Sequence, residues 1–122
     1  MGMTFAQKAL ARAAGKDYVD IGEIVMANVD VAMMDDILGP RIEIAAGLKE
    51  LGVDVWDKSK VVVISDHYTP PCEIKQAEAV RFTRDWSEEH EVSYYEYAGP
   101  CHQVLAERCY DCLLYTSPSP RD

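Results

Sequence analysis

Basic side chains are scarce in this 122-residue chain: 12 Lys and Arg stand against 21 Asp and Glu, a formal net charge of −9. That deficit argues against nucleic acid as a main partner, because phosphate binding needs clustered cations. It argues equally against an anionic membrane surface. Long apolar runs are lacking too. None approaches the roughly 20 residues of a membrane span, and the N-terminus has no signal-peptide apolar core. The expectation is a cytoplasmic chain with no nucleic-acid and no membrane partner. In that compartment four cysteines point to metal, redox or core use sooner than to a disulfide framework. What is present, 48% hydrophobic and 27% charged residues, is the make-up of a globular chain of one-domain length.

Composition changes abruptly at Cys112, where the sequence runs into a Ser/Pro-rich string ending at Asp122. That string reads as a translated sequencing-library adaptor and is set aside as a non-native tail, residues 112–122. Residues 1–111 then carry the fold. The tail holds one Arg and one Asp, so the charge is unaffected.

Thr4 and Gln7 have capping-box spacing, an Ala-rich run follows, and Gly15 suits a C-terminal cap; a helix is expected over 4–14. The apolar, β-branched stretch 23–32 reads as a strand. A second helix is expected from Pro40 to Leu51, closed by Gly52. Val61-Val62-Val63-Ile64 is a continuous apolar run of the kind found in a parallel strand covered on both faces. A long helix over 73–89 would bury Ile74, Ala77 and Val80, and a further strand covers 92–97. The order α-β-α-β-α-β predicts an α/β fold: part of a three-layer α/β/α domain with a mostly parallel sheet.

Each of the three strands runs into a polar step: Asp35-Asp36, then Asp66-His67, then Cys101-His102-Gln103. In an open parallel sheet, ligands bind beyond the carboxyl ends of the strands, so these steps converge on one crevice. A carboxylate beside an imidazole fixes its tautomer and raises its basicity, which suits proton transfer near neutrality. Blander readings stand beside these. Asp66-His67 also reads as a turn cap, His102 as a core histidine, Asp35-Asp36 as a solvated turn, and His90 as a surface residue at a helix C-terminus. Cys72 reads as a small buried or half-buried side chain. Cys109 and Cys112 form a C-x-x-C, so Cys101, His102, Cys109 and Cys112 offer an alternative: a small Cys/His metal-binding or thiol module.

The N-terminal Met1-Gly2-Met3-Thr4, the Asp66-His67-Tyr68-Thr69-Pro70 step and Gly99-Pro100-Cys101-His102-Gln103-Val104-Leu105 together resemble the N-terminal region of the aconitase superfamily. The nearest branch is that of 3-isopropylmalate dehydratase large subunits and their homoaconitase relatives. The resemblance covers residues 1 to about 111, as the N-terminal portion of an aconitase-type α/β domain. It implies a hydro-lyase acting on a small anionic hydroxy acid, with a 4Fe–4S cluster as Lewis acid and a small-subunit partner carrying a swivelling domain. By that resemblance Asp66, His67 and His102 are catalytic, and Asp35 and Asp36 contact substrate. Leu38 stands where the family has Thr or Ser, and Pro100 replaces a small apolar residue. The cluster's cysteine ligands, an Asp-Ser-His-Thr motif, the base and a substrate arginine are expected outside this stretch. No residue here is assigned as a metal ligand, and the segment alone is expected to bind no cluster and to be inactive.

Overall fold

A computed structural model describes residues 2–37 and 39–109; Leu38 and the tail beyond Cys109, including Cys112, lie outside the described residues. The chain divides into two compact units at the Asp30–Val31 boundary.

The first unit is built on helix α1, Phe5–Ala14. Its N-terminus carries the predicted capping box: Thr4 accepts the Gln7 amide, and the Gln7 side chain reaches back to the Thr4 N–H. Gly15 ends it at φ 64°, a left-handed conformation that favours glycine. Ala11 and Val19 are buried, and the Gln7 side chain donates to the Val19 carbonyl at 2.8 Å. The strand expected over 23–32 forms only at its last residue. Residues 23–29 run without a neighbouring strand, and Ile21, Ile24 and Met26 are almost fully exposed. Apolar, β-branched residues favour a pleated surface only where another strand offers one.

The second unit holds a three-stranded parallel sheet in the order β1-β2-β3: β1 Ala32–Asp35, β2 Val61–Ser65 and β3 Ser93–Glu96. The alternation of strand side chains divides its core. Val62 and Ile64 pack on one face with Cys101 and Val104, from the short helix α4, Cys101–Val104. Val63 packs on the other face with Trp86 and Val92. Trp86 belongs to α3, Ile74–Glu89. Ala45 and Leu48, on the same face, come from α2, Ala45–Leu51, which is preceded by a π-helical stretch, Gly39–Ile44, and ends at Gly52 with φ 66°. Helices thus cover both faces of a parallel sheet, as the element order predicts.

Of the three residues expected to be buried on α3, Val80 is buried, whereas Ala77 and Ile74 are exposed. Ala79, Val80, Thr83, Trp86 and Ser87 face inward, while Ile74 is 80% exposed. The two buried hydroxyls satisfy themselves on the preceding turn, Thr83 donating to the Ala79 carbonyl at 2.9 Å and Ser87 to the Thr83 carbonyl at 2.7 Å. His90 is packed rather than free: its ring stacks on Trp86 at 4.2 Å. Among the described residues, no helix is long and apolar enough to cross a membrane.

Candidate functional site

The register puts all three polar steps on one edge. Asp35, the last residue of β1, lies beside Ile64, and Ser65, the last of β2, lies beside Glu96. The loops leaving the three strands therefore emerge at the same end of the sheet.

The first step is not a solvated turn. Asp36 is fully buried, and its carboxylate accepts the backbone N–H of His67 at 3.2 Å and of Tyr68 at 2.9 Å. A buried carboxylate needs such donors, and here they come from the loop after β2. Asp36 therefore clamps the loop that carries His67. Asp35 caps its own turn, accepting the Ile37 amide at 2.9 Å.

The second step is fastened to the third. Asp66 Oδ2 accepts the Cys101 backbone N–H at 2.6 Å, joining the loop after β2 to the start of α4. Asp66 Oδ1 lies 2.7 Å from His67 Nδ1 but off the line of a donated N–H, and no donor is aligned with it. Burial works to raise the Asp66 carboxyl, yet the Cys101 amide, the Cys101 thiol and the His67 ring outweigh it and hold the carboxyl below the ordinary range. Burial pushes the Cys101 thiol up, and the Asp66 carboxylate pushes it the same way. His67 is 41% exposed, so its imidazole has one nitrogen against a carboxylate and an open outer side. His102, one residue past the tied Cys101, is exposed on α4 rather than in the core.

An open cleft of about 400 Å³ borders this edge, lined by Ser65, Asp66, Thr69, Tyr97, Gly99 and Pro100. Thr69 Oγ1 is buried there without a partner, as is Asp66 Oδ1. Behind Ser65 a polar network braces β3. The Tyr94 hydroxyl lies 3.0 Å from Ser65 Oγ and 2.9 Å from Glu96 Oε2, and Arg84 grips Glu96 with two nitrogens at 2.8–3.0 Å. Burial pushes the Tyr94 phenol up to about 12.

The cysteines are dispersed. Cys72 is exposed, contrary to its reading as a buried or half-buried residue, Cys101 is buried and Cys109 is intermediate. Prolines on its N-terminal side leave Cys72 on a loop with no core beneath it. Among the described residues the donor atoms that gather are those of Asp66, His67 and Cys101, all within 4.8 Å of one another. Cys101, His102 and Cys109 do not form such a group, and Cys112 lies outside the described residues. Nor do three sulfurs meet, so the described residues do not fit an iron–sulfur cluster and are assigned no ligand to one.

No protein-family model matches the chain. Curated proteins do. The probable 3-isopropylmalate dehydratase large subunit of Methanothermobacter thermautotrophicus is 46% identical over 111 residues, which cover 88% of this chain and 26% of that protein. The 3-isopropylmalate dehydratase large subunit 1 of Methanopyrus kandleri is 45% identical over the same shares, and that of Herpetosiphon aurantiacus is 40% identical over 110 residues. Fold and similarity agree on the class: a partial α/β domain, similar over most of its length to one part of dehydratase large subunits. Those relatives are all 3-isopropylmalate dehydratase large subunits, and the chain spans about a quarter of their length.

Proposed function

We propose that this chain forms one wall of the active site of a hydro-lyase of the 3-isopropylmalate dehydratase type, which dehydrates and rehydrates a small hydroxy di- or tricarboxylic acid. The observation that carries the proposal is the Asp66–His67 pair, 2.7 Å apart and anchored from two sides at the carboxyl edge of the sheet. Asp66 lies against Nδ1 of the imidazole, and Nε2 on the other side of the ring is left to exchange a proton with the hydroxyl that departs and returns. His102, on α4, stands as a second proton-handling or water-binding group, and Asp35 as the substrate contact. Asp36 is proposed to act one step back, by holding the His67 loop.

The rest of the machinery is proposed to lie in other parts of the enzyme: a 4Fe–4S cluster on cysteines beyond this stretch, and a small subunit with the swivelling domain. The chain alone is proposed to be inactive. Its net charge of −9 would repel an anionic substrate, so local cationic groups from those parts must attract it. A cytoplasmic location, with neither nucleic acid nor membrane as partner, completes the reading. The tail from Cys112 is proposed to be foreign to the protein.

The test is His67→Ala in the complete two-subunit enzyme. Turnover should fall by about two to four orders of magnitude while the cluster's absorbance persists. A near-normal rate would remove His67 from proton transfer.

A further inference from the structure

We infer that Asp66, His67 and Cys101 form a binding site for one divalent, borderline-soft metal ion, of the Zn²⁺, Co²⁺ or Fe²⁺ class. Three observations carry this. The three donor atoms, an oxygen, a ring nitrogen and a sulfur, lie within 4.8 Å of one another although Cys101 is 35 residues from Asp66. Two of the three are held in place: Asp66 Oδ2 is fixed by the Cys101 amide, and the Cys101 side chain is buried under Val62 and Ile64. And Asp66 Oδ1, on a side chain only 14% exposed, has no aligned donor, so its lone pair is free to accept a cation.

Donor type selects the metal. A thiolate with an imidazole favours borderline-soft ions over Mg²⁺ or Ca²⁺, which want oxygen alone. Three protein donors with the partly exposed His67 on the outer side leave a fourth position for water. Binding releases the Cys101 thiol proton to solvent. Asp66 coordinates as a carboxylate, and His67 coordinates through Nδ1 with its proton on Nε2. The two ligand charges balance the ion, and the buried Asp36 carboxylate, 3.7 Å from His67 Nδ1, adds to the attraction. This set differs from a C-x-x-C module, since neither Cys109 nor Cys112 takes part.

The experiment is a Co²⁺ titration of the purified, chelator-stripped chain, followed by the thiolate-to-cobalt charge-transfer band. It needs neither substrate nor the rest of the enzyme, so its outcome is independent of the hydro-lyase reading. A band that saturates at about one equivalent is expected, retained in Cys72→Ser and Cys109→Ser and lost in Cys101→Ser. His67→Ala, at a partly exposed side chain, should weaken binding by about tenfold or more with unchanged circular dichroism. Should Cys101→Ser not fold, His67→Ala decides. No band, a band that survives in folded Cys101→Ser, or undiminished affinity in His67→Ala overturns the assignment.

Discussion

Asp36 offers the sharpest check on how this site is held. Its carboxylate is fully buried and accepts two backbone N–H groups, from His67 at 3.2 Å and Tyr68 at 2.9 Å. Hydrogen bonds to a charged group contribute about 1.5–3 kcal/mol each, and a buried donor left without an acceptor costs about 1–3 kcal/mol. Asp36→Asn keeps one acceptor and turns an amide NH₂ toward the other donor. It should therefore cost about 2–3 kcal/mol. Asp36→Ala strands both N–H groups and leaves a void, and should cost about 3–5 kcal/mol. Either is a large share of the roughly 5–15 kcal/mol that holds a domain together. Urea unfolding should show a lower midpoint at unchanged slope, and the His67 and Tyr68 amides should exchange faster than those of β2. A destabilisation of Asp36→Asn under about 0.5 kcal/mol, with those two amides still protected, would refute the clamp.

Local geometry yields two more expected outcomes. Thr4→Ala removes the capping box of α1 and should cost the first unit about 1 kcal/mol, read as lost helical circular dichroism on mild heating. Burial disfavours the Tyr94 phenolate and pushes the group up to about 12. A group raised in the folded state stabilises fully below its unfolded value near 10 and loses that contribution as pH climbs toward 12. Tyr94→Phe should thus flatten the stability loss between about pH 10 and 12; equal slopes in both proteins would contradict it.

The fold is legible wherever local chemistry and tertiary context agree. The Thr4–Gln7 box, the glycines at 15 and 52 and the Val61–Ile64 run each demand one conformation, and each adopts it. The stretch 23–32 departs from its strand pattern because strand propensity is a statement about neighbours, and neighbours are not written in the stretch itself. Helix α3 departs more subtly. A hydrophobicity count favours Ile74, but Thr83 and Ser87 can be buried because their hydroxyls bond to their own helix. A buried polar stripe is invisible to a scale that ranks side chains by apolarity.

The site divides along the same line. That Asp66, His67 and Cys101-His102 share an edge comes from strand order alone, because three parallel strands must all point their carboxyl ends one way. How they interlock does not. Asp36 stands shortly before a Gly-Pro pair and on sequence grounds belongs in water, yet it is among the most buried polar residues, because the 66–68 loop folds over it and presents two amides. Sequence spacing groups Cys101 with Cys109 and Cys112, whereas its sulfur sits against a carboxylate and an imidazole 35 and 34 residues away. Residue type and strand position identify which groups reach the edge. Which group touches which is decided by backbone amides, and every residue but proline carries one. The clamp at Asp36 and the tie at Cys101 both use such amides, so the pairing that would make His67 a proton carrier is set by the two loops rather than by the Asp-His sequence itself.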